Sequence, residues 1–232
     1  MPSVTVENYL KQAYLAQHGH DHGRSRDDTR VPMGRLAAGV GVTPGTATTM
    51  VKALADAGLL DYEPRGGFSL TPAGEKLALE VLRRHRLIEL FLVQTLGLDW
   101  SEVHEEAEEL EHAISEKVLE RIDALLGHPE VDPHGDPIPP RHGGPPPRHD
   151  LPNLTDCPTG QRLRIARVLD QAGSFLQFLD THGLTPGAEI TVAPRHPSAD
   201  AVTVTPTETG LGPITLGTAA AAKILVSVEA VD

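Results

Sequence analysis

Residues 33–75 constrain the fold most, because their turn chemistry leaves few alternatives. Residues 33–40 carry a short helical period, and Gly41-Val42 breaks it. Thr43 can cap the next helix, Pro44 suits its first position, and Gly58 suits the left-handed residue that closes it. Residues 59–62 and 67–70 then read as two short strands across Glu63-Pro64-Arg65-Gly66, and Thr71-Pro72 opens a further helix. Helix, turn, helix and hairpin in that order predict a winged helix-turn-helix. Ahead of it, Val6, Tyr9, Leu10, Ala13 and Tyr14 recur at helical spacing, so a first helix is expected over 4–17. Residues 18–30 are polar, aperiodic and histidine-bearing, the pattern of an exposed loop capable only of weak, adventitious metal binding.

Two long helical patterns follow, over 71–96 and 103–126, separated by Gly97-Leu98-Asp99-Trp100-Ser101. In the second, Glu108, Glu111 and His112 stand at i, i+3 and i+4, which would align three donor groups on one helix face. His104 falls one turn earlier, and the first pattern carries His85 and Glu89 at i, i+4. A generic Glu/His run is usually a solvated acidic face. Matching carboxylate and imidazole spacing on two consecutive helices instead suits a divalent cation. The single cysteine, Cys157, excludes a disulfide framework and a thiolate zinc site, which tilts the choice toward harder ions such as Mn²⁺ or Fe²⁺.

The formal net charge of −12 looks wrong for a nucleic-acid binder, so its distribution matters. Residues 1–77 carry eight basic and eight acidic side chains, whereas 78–140 carry five against fifteen. A neutral N-terminal domain can still present a basic side to DNA, and a cation would offset part of the acidity beyond it. Residues 127–152 are rich in proline, including Pro145-Pro146-Pro147, and mark a boundary. Beyond it the period changes to two, as in Arg162-Leu163-Arg164-Ile165, and short β segments follow in a module small enough for an SH3-type barrel. No cationic start with an apolar core and no apolar run of bilayer length is present, so a soluble cytoplasmic protein with no membrane partner is expected.

Four segments together give the chain its resemblance to the diphtheria toxin repressor family of iron- and manganese-dependent regulators. They are Arg84-His85-Arg86-Leu87-Ile88-Glu89, Val103-His104-Glu105-Glu106-Ala107-Glu108, Glu111-His112, and the run from His128-Pro129 to Pro133-His134-Gly135-Asp136-Pro137-Ile138-Pro139. The resemblance implies a mainly α fold with β: a winged helix-turn-helix DNA-binding domain over 1–75 and a helical metal-binding and dimerisation domain over 76–140. A Pro-rich linker over 141–155 and a C-terminal SH3-like (FeoA-like) small β-barrel over 156–232 would complete it.

It also implies two metal sites per subunit. The primary site would take Glu108, Glu111 and His112, with Asn8 where relatives carry Met or Asp. The ancillary site would take His85, Glu89 and His104, completed from the tail domain near Asp170, Gln171 and Ser174, with Gln171 the named candidate. A first-helix Glu that serves a binuclear cluster in manganese-type relatives is Lys11 here. Oxygen donors at 108 and 111 favour Mn²⁺, with Fe²⁺ second.

The expected function is repression gated by intracellular Mn²⁺, controlling metal uptake genes through a homodimer on a pseudo-palindromic double-stranded DNA operator. Without metal, Glu108 and Glu111 would repel each other and the first helix would be untethered. Thr43, Gly45, Thr46, Thr48 and Thr49 would face the major groove, with Lys52 and Arg65 near phosphates. The alternatives are an Fe²⁺-responsive regulator of the same family and, in a different class, a metal buffer. A di-iron enzyme needs a four-helix bundle with two Glu-x-x-His motifs, and only Glu109-Leu110-Glu111-His112 fits one. No enzyme is expected.

Overall fold

Ser3 starts α1 (Val4–His18) by accepting a hydrogen bond from the Val6 amide. The computed structural model describes residues 3–19, 30–147, 150–196, 198–207 and 210–228, so most of the histidine-bearing loop lies outside the described residues. The chain divides into two compact units. The first comprises residues 1–85, 111–114 and 139–146, and the second comprises 86–110, 115–138 and 147–232.

In the first unit α2 (Met33–Val40) closes on Gly41 in the left-handed region, and Thr43 caps α3 (Pro44–Asp56) through the Thr46 amide. β1 (Leu60–Glu63) and β2 (Gly67–Leu70) pair antiparallel, with Leu60 opposite Leu70. The hairpin is extended by an isolated bridge between Val31 and Phe68. Gly67 permits it: its φ is 93°, and a Cβ there would lie 2.3 Å from the Val31 carbonyl oxygen. α4 (Pro72–Leu96) follows, and its residues through His85 belong to this unit. The core joins Tyr9, Leu10 and Ala13 of α1 to Leu36, Val51, Leu54, Phe68 and Leu82, all buried. This is the helix, turn, helix and hairpin read from the sequence.

The second unit holds the remainder of α4, then α5 (Val103–Leu110) and α6 (Glu116–Leu125). The single helix expected over 103–126 is therefore two. Residues 111–113 form a turn, and Ser115 takes an extended conformation ahead of α6. Glu111 and His112 thus fall in the turn that follows α5 rather than within the helix that carries Glu108. Beyond residue 150 run β3 (Arg162–Val168), α7 (Gly173–Thr181), β4 (Glu189–Val192), β5 (Ala201–Pro206), β6 (Ile214–Gly217), the short α8 (Thr218–Ala221) and β7 (Ile224–Val228). The strands form one antiparallel sheet in the order β6-β5-β4-β3-β7. Leu163, Ile165, Ile190, Val192, Val202 and Val204 alternate into its core with Trp100, Leu176 and Leu179. The second β-rich domain expected from the change of period is present.

One loop in this unit is built by polar groups. Asp132 Oδ1 accepts hydrogen bonds from the His134 and Asp136 amides at 2.8 and 2.9 Å. His134 Nε2 donates to the Trp100 carbonyl at 2.9 Å, and the Arg86 guanidinium lies near both Asp132 and Asp136. Gly135, at φ 82°, lets this loop press on β3, where a Cβ would meet the Ala166 carbonyl oxygen at 2.0 Å.

Candidate metal centre and nucleic-acid interface

In the first unit α1 presents Glu7, Asn8 and Lys11 toward the Glu111-His112 turn, and Glu7 and Lys11 are buried despite their charge. Residues at i, i+3 and i+4 share a helix face, so one turn of α1 delivers all three. His112 Nδ1 donates to Glu7 Oε2 at 2.7 Å. Its other nitrogen, Nε2, is 2.7 Å from Asn8 Oδ1 and 3.3 Å from Glu111 Oε1. With Nδ1–H held by Glu7, Nε2 is the ring nitrogen left to offer a lone pair. Three atoms able to ligate a metal thus lie together: the imidazole Nε2, an amide oxygen and a carboxylate oxygen.

Glu111 is fully buried. Its Oε2 accepts from His85 Nδ1 at 2.6 Å, and its Oε1 accepts from Lys11 Nζ at 2.7 Å. Burial by itself would raise its carboxyl pKa, but the His85 hydrogen bond and charge, with the Lys11 charge, hold it below the ordinary glutamate value. The helix break between α5 and α6 has a partner as well. Arg84 Nη1 donates to the Glu111 main-chain carbonyl at 3.1 Å and lies 3.4 Å from Glu7 Oε2. Direct contacts from Glu7, Asn8 and Lys11 thus already tie α1 to the turn.

In the second unit, His104 Nδ1 is 3.2 Å from Glu89 Oε1, and His104 Nε2 is 3.6 Å from Glu108 Oε1. Glu89 is buried while His104 and Glu108 are partly exposed. Gln171 Nε2 donates to Asp136 Oδ2 at 2.8 Å, and Asp170 is held by Lys223 Nζ at 2.6 Å. Of the named candidates, Asn8, His85, Glu111 and His112 belong to the first unit, and Glu89, His104, Glu108 and Gln171 to the second. Gln171 stands beside Asp136. Sequence reasoning missed Glu7 and Arg84 and read Lys11 only as a departure. The one available signal was the i, i+4 pair Glu7 and Lys11 astride Asn8.

The candidate DNA-facing residues lie on the outer side of α3 and at the hairpin tip. Thr43, Gly45, Thr46, Thr49, Lys52 and Arg65 are exposed and Thr48 is half-buried. The Thr48 and Thr49 hydroxyls donate to the Pro44 and Gly45 carbonyls at 2.7 and 3.2 Å. Arg65 sits at φ 68° in the hairpin turn.

Three family models match successive segments of the chain. Residues 1–68 match the family described as iron dependent repressor, N-terminal DNA binding domain. Residues 71–140 match iron dependent repressor, metal binding and dimerisation domain, and 153–228 match the FeoA domain. The iron-dependent repressor IdeR of Mycobacterium tuberculosis is 34% identical over 202 residues, covering 81% of this chain and 83% of that protein. The HTH-type transcriptional regulator MntR of Lysinibacillus sphaericus is 33% identical over 133 residues, 57% of this chain and 89% of its own. Among solved structures, a manganese-dependent transcriptional repressor in complex with manganese superposes with a TM-score of 0.83 at 37% identity, covering 97% of this chain and all of that one. T. acidophilum IdeR does so with a TM-score of 0.73 at 27% identity, over 99% of this chain.

Proposed function

The chain belongs to the iron-dependent repressor family, and from that premise we propose that it is a DNA-binding repressor gated by Mn²⁺, with Fe²⁺ second, acting in the cytoplasm on metal uptake genes. The observation that carries the metal assignment is the convergence of Asn8 Oδ1, His112 Nε2 and Glu111 Oε1. Glu108, one helical turn before Glu111 and His112 in the sequence, is proposed as the fourth donor of this primary site. His85, Glu89, His104 and Gln171 are proposed for a second site. Amide and carboxylate oxygens with one imidazole suit a hard ion, which places Mn²⁺ first.

A bound divalent ion would draw its ligands from His112 Nε2, the Asn8 amide oxygen and Glu111 Oε1. The protein's own groups do the rest. Glu7 fixes the orientation of His112 by accepting Nδ1–H, and Arg84 holds both Glu7 and the Glu111 carbonyl, so the turn cannot drift from α1. Anything that tightens α1 against this turn bears on α3 through the core shared by Leu10, Leu36 and Val51. The coupling between ion and operator is reciprocal and typically amounts to about 1–3 kcal/mol.

A second copy of the chain and duplex DNA are the partners. Leu96, Leu110, Val118 and Leu125 are exposed apolar side chains of the helical part of the second unit, a surface suited to a homodimer. A two-fold dimer calls for a pseudo-palindromic operator. Small side chains on α3 leave thymine methyl packing and DNA shape to carry much of the specificity.

Fluorescence anisotropy on operator DNA, titrated with Mn²⁺, Fe²⁺, Co²⁺ and Zn²⁺ at matched free concentrations, tests this reading. Sequence-specific retention that appears only with metal, at the lowest free concentration of Mn²⁺, is expected. Metal uptake with no effect on DNA would make the protein a buffer.

A further inference from the structure

Gln17 is a polar residue on the apolar face of α1. Leu10, Ala13 and Tyr14 are buried there, and Gln17 follows them at i+7, i+4 and i+3. The hairpin takes up its side chain: Gln17 Oε1 accepts a hydrogen bond from the Leu70 amide at 2.8 Å. That amide lies on the edge of β2 facing away from β1. The other outward residue of this edge, Phe68, exchanges both main-chain bonds with Val31, at 3.0 and 2.6 Å. The outer edge is thus held at two points, by Val31 ahead of α2 and by Gln17 on α1 itself. A two-stranded hairpin is marginal alone, so its direction follows what holds its edge. An apolar side chain at 17 would strand the Leu70 amide.

The other half of α1 carries Glu7 and Asn8 against the Glu111-His112 turn. Asn8 and Gln17 are nine positions apart on one unbroken helix, about 14 Å along its axis. We propose that Gln17 is a positioning residue that carries ion binding from α1 to the hairpin, so that the divalent ion sets how Arg65 at the hairpin tip meets a DNA phosphate. The inference rests on the metal-site and DNA readings above and deepens them by giving the ion two separable routes to DNA. One runs to α3 through the apolar core of Leu10, Leu36 and Val51 and bears on base preference. The other runs through the Gln17 bond and bears on phosphate contact.

The test reads the slope of log affinity against log salt by anisotropy, on operator and scrambled DNA, in Mn²⁺ and in EDTA. Full-length wild type, Gln17→Leu, Gln17→Ala, Gln17→Glu, Arg65→Ala and the Gln17→Leu, Arg65→Ala double variant are compared, with circular dichroism as the folding control. Each phosphate contact contributes about 0.9 to the slope. In Mn²⁺, Gln17→Leu and Gln17→Ala are expected to lower it by about one per subunit, as Arg65→Ala does, and the double variant to lower it no further. Gln17→Glu keeps an oxygen acceptor of the same reach and should restore the wild-type slope. In EDTA the slopes of Gln17→Leu and wild type on scrambled DNA should coincide. Mn²⁺ affinity without DNA and the preference for operator should both stay within threefold of wild type. A wild-type slope in folded Gln17→Leu and Gln17→Ala overturns the inference, as does an additive loss in the double variant. A loss that persists in EDTA, or weaker Mn²⁺ binding without DNA, means that the bond merely props the fold, and overturns it too. Wild type whose DNA binding ignores Mn²⁺ defeats the metal reading and the inference with it, a result distinct from the others.

Discussion

Glu7 touches no candidate donor atom of the primary site directly, yet it decides which His112 nitrogen is available. It accepts Nδ1–H at 2.7 Å and so leaves Nε2 toward Asn8 and Glu111. Outer partners of this kind typically alter metal affinity by about 10–100-fold. Glu7→Gln, read by competition with a chromophoric chelator, should therefore weaken Mn²⁺ binding by at least about tenfold. Affinity within threefold of wild type would remove Glu7 from the site. Glu108 invites a different substitution. Glu108→Cys replaces a hard donor by a soft thiolate, and half-activating free metal on one operator should shift from Mn²⁺ toward Fe²⁺, Co²⁺ or Zn²⁺. Equal Mn²⁺-to-Fe²⁺ ratios in both proteins would mean that the donor at 108 does not select the ion. Glu111 and His112 were legible because donor types at adjacent helical spacings stand out from one segment alone. Glu7 and Lys11 were not, because a charged residue in an amphipathic pattern is assigned to solvent. Their burial depends on His112 and Glu111, about a hundred residues further along.

At the scale of elements, caps and turns were readable and the end of α5 was not. Thr43-Pro44, Gly41 and the hairpin residues each enforce a local conformation, so α2, α3, β1 and β2 followed from sequence. Ala113-Ile114-Ser115 contains no glycine or proline, and the break there is sustained by Arg84 taking up the Glu111 carbonyl, a long-range contact. The loop over 132–136 illustrates the same dependence. Burial raises the Asp132 carboxyl well above the ordinary range, the Asp136 and Glu89 charges add to this, and Arg86 opposes it. A carboxyl with a raised folded pKa binds its proton more tightly in the folded chain, so its contribution to stability falls as pH climbs from about 4, the unfolded value, toward the folded one. Asp132→Asn keeps an acceptor for the His134 and Asp136 amides and cannot ionise. Its melting temperature relative to wild type should accordingly rise between pH 4 and pH 7. Asp132→Ala strands both amides and should cost about 2 kcal/mol at either pH. If Asp132→Asn instead loses stability as pH rises, the carboxylate is ionised and paired with Arg86 throughout.

Across the whole molecule the charge is arranged so that only part of the surface can meet DNA. Fifteen of the 32 acidic residues lie within 78–140, whereas 1–77 balance eight against eight. A chain of net charge −12 gains little from long-range attraction to phosphates, and its affinity must come from a few well-placed cations with the rest held away. Lys52 on α3 and Arg65 at the hairpin tip are exposed and stand on the two elements that meet DNA in a winged helix. Each phosphate contact contributes about 0.9 to the slope of log affinity against log salt. Lys52→Ala and Arg65→Ala should each lower that slope by about one per subunit and weaken specific and non-specific DNA alike. Thr46→Ala and Thr49→Ala should act in the opposite sense: an unchanged slope, with reduced preference for operator over scrambled sequence. Anisotropy titrations in Mn²⁺ over a range of KCl, on both DNAs, separate the two classes. A slope that survives both basic substitutions would place the phosphate contacts elsewhere, and loss of slope on a threonine substitution would mean that α3 binds backbone rather than bases.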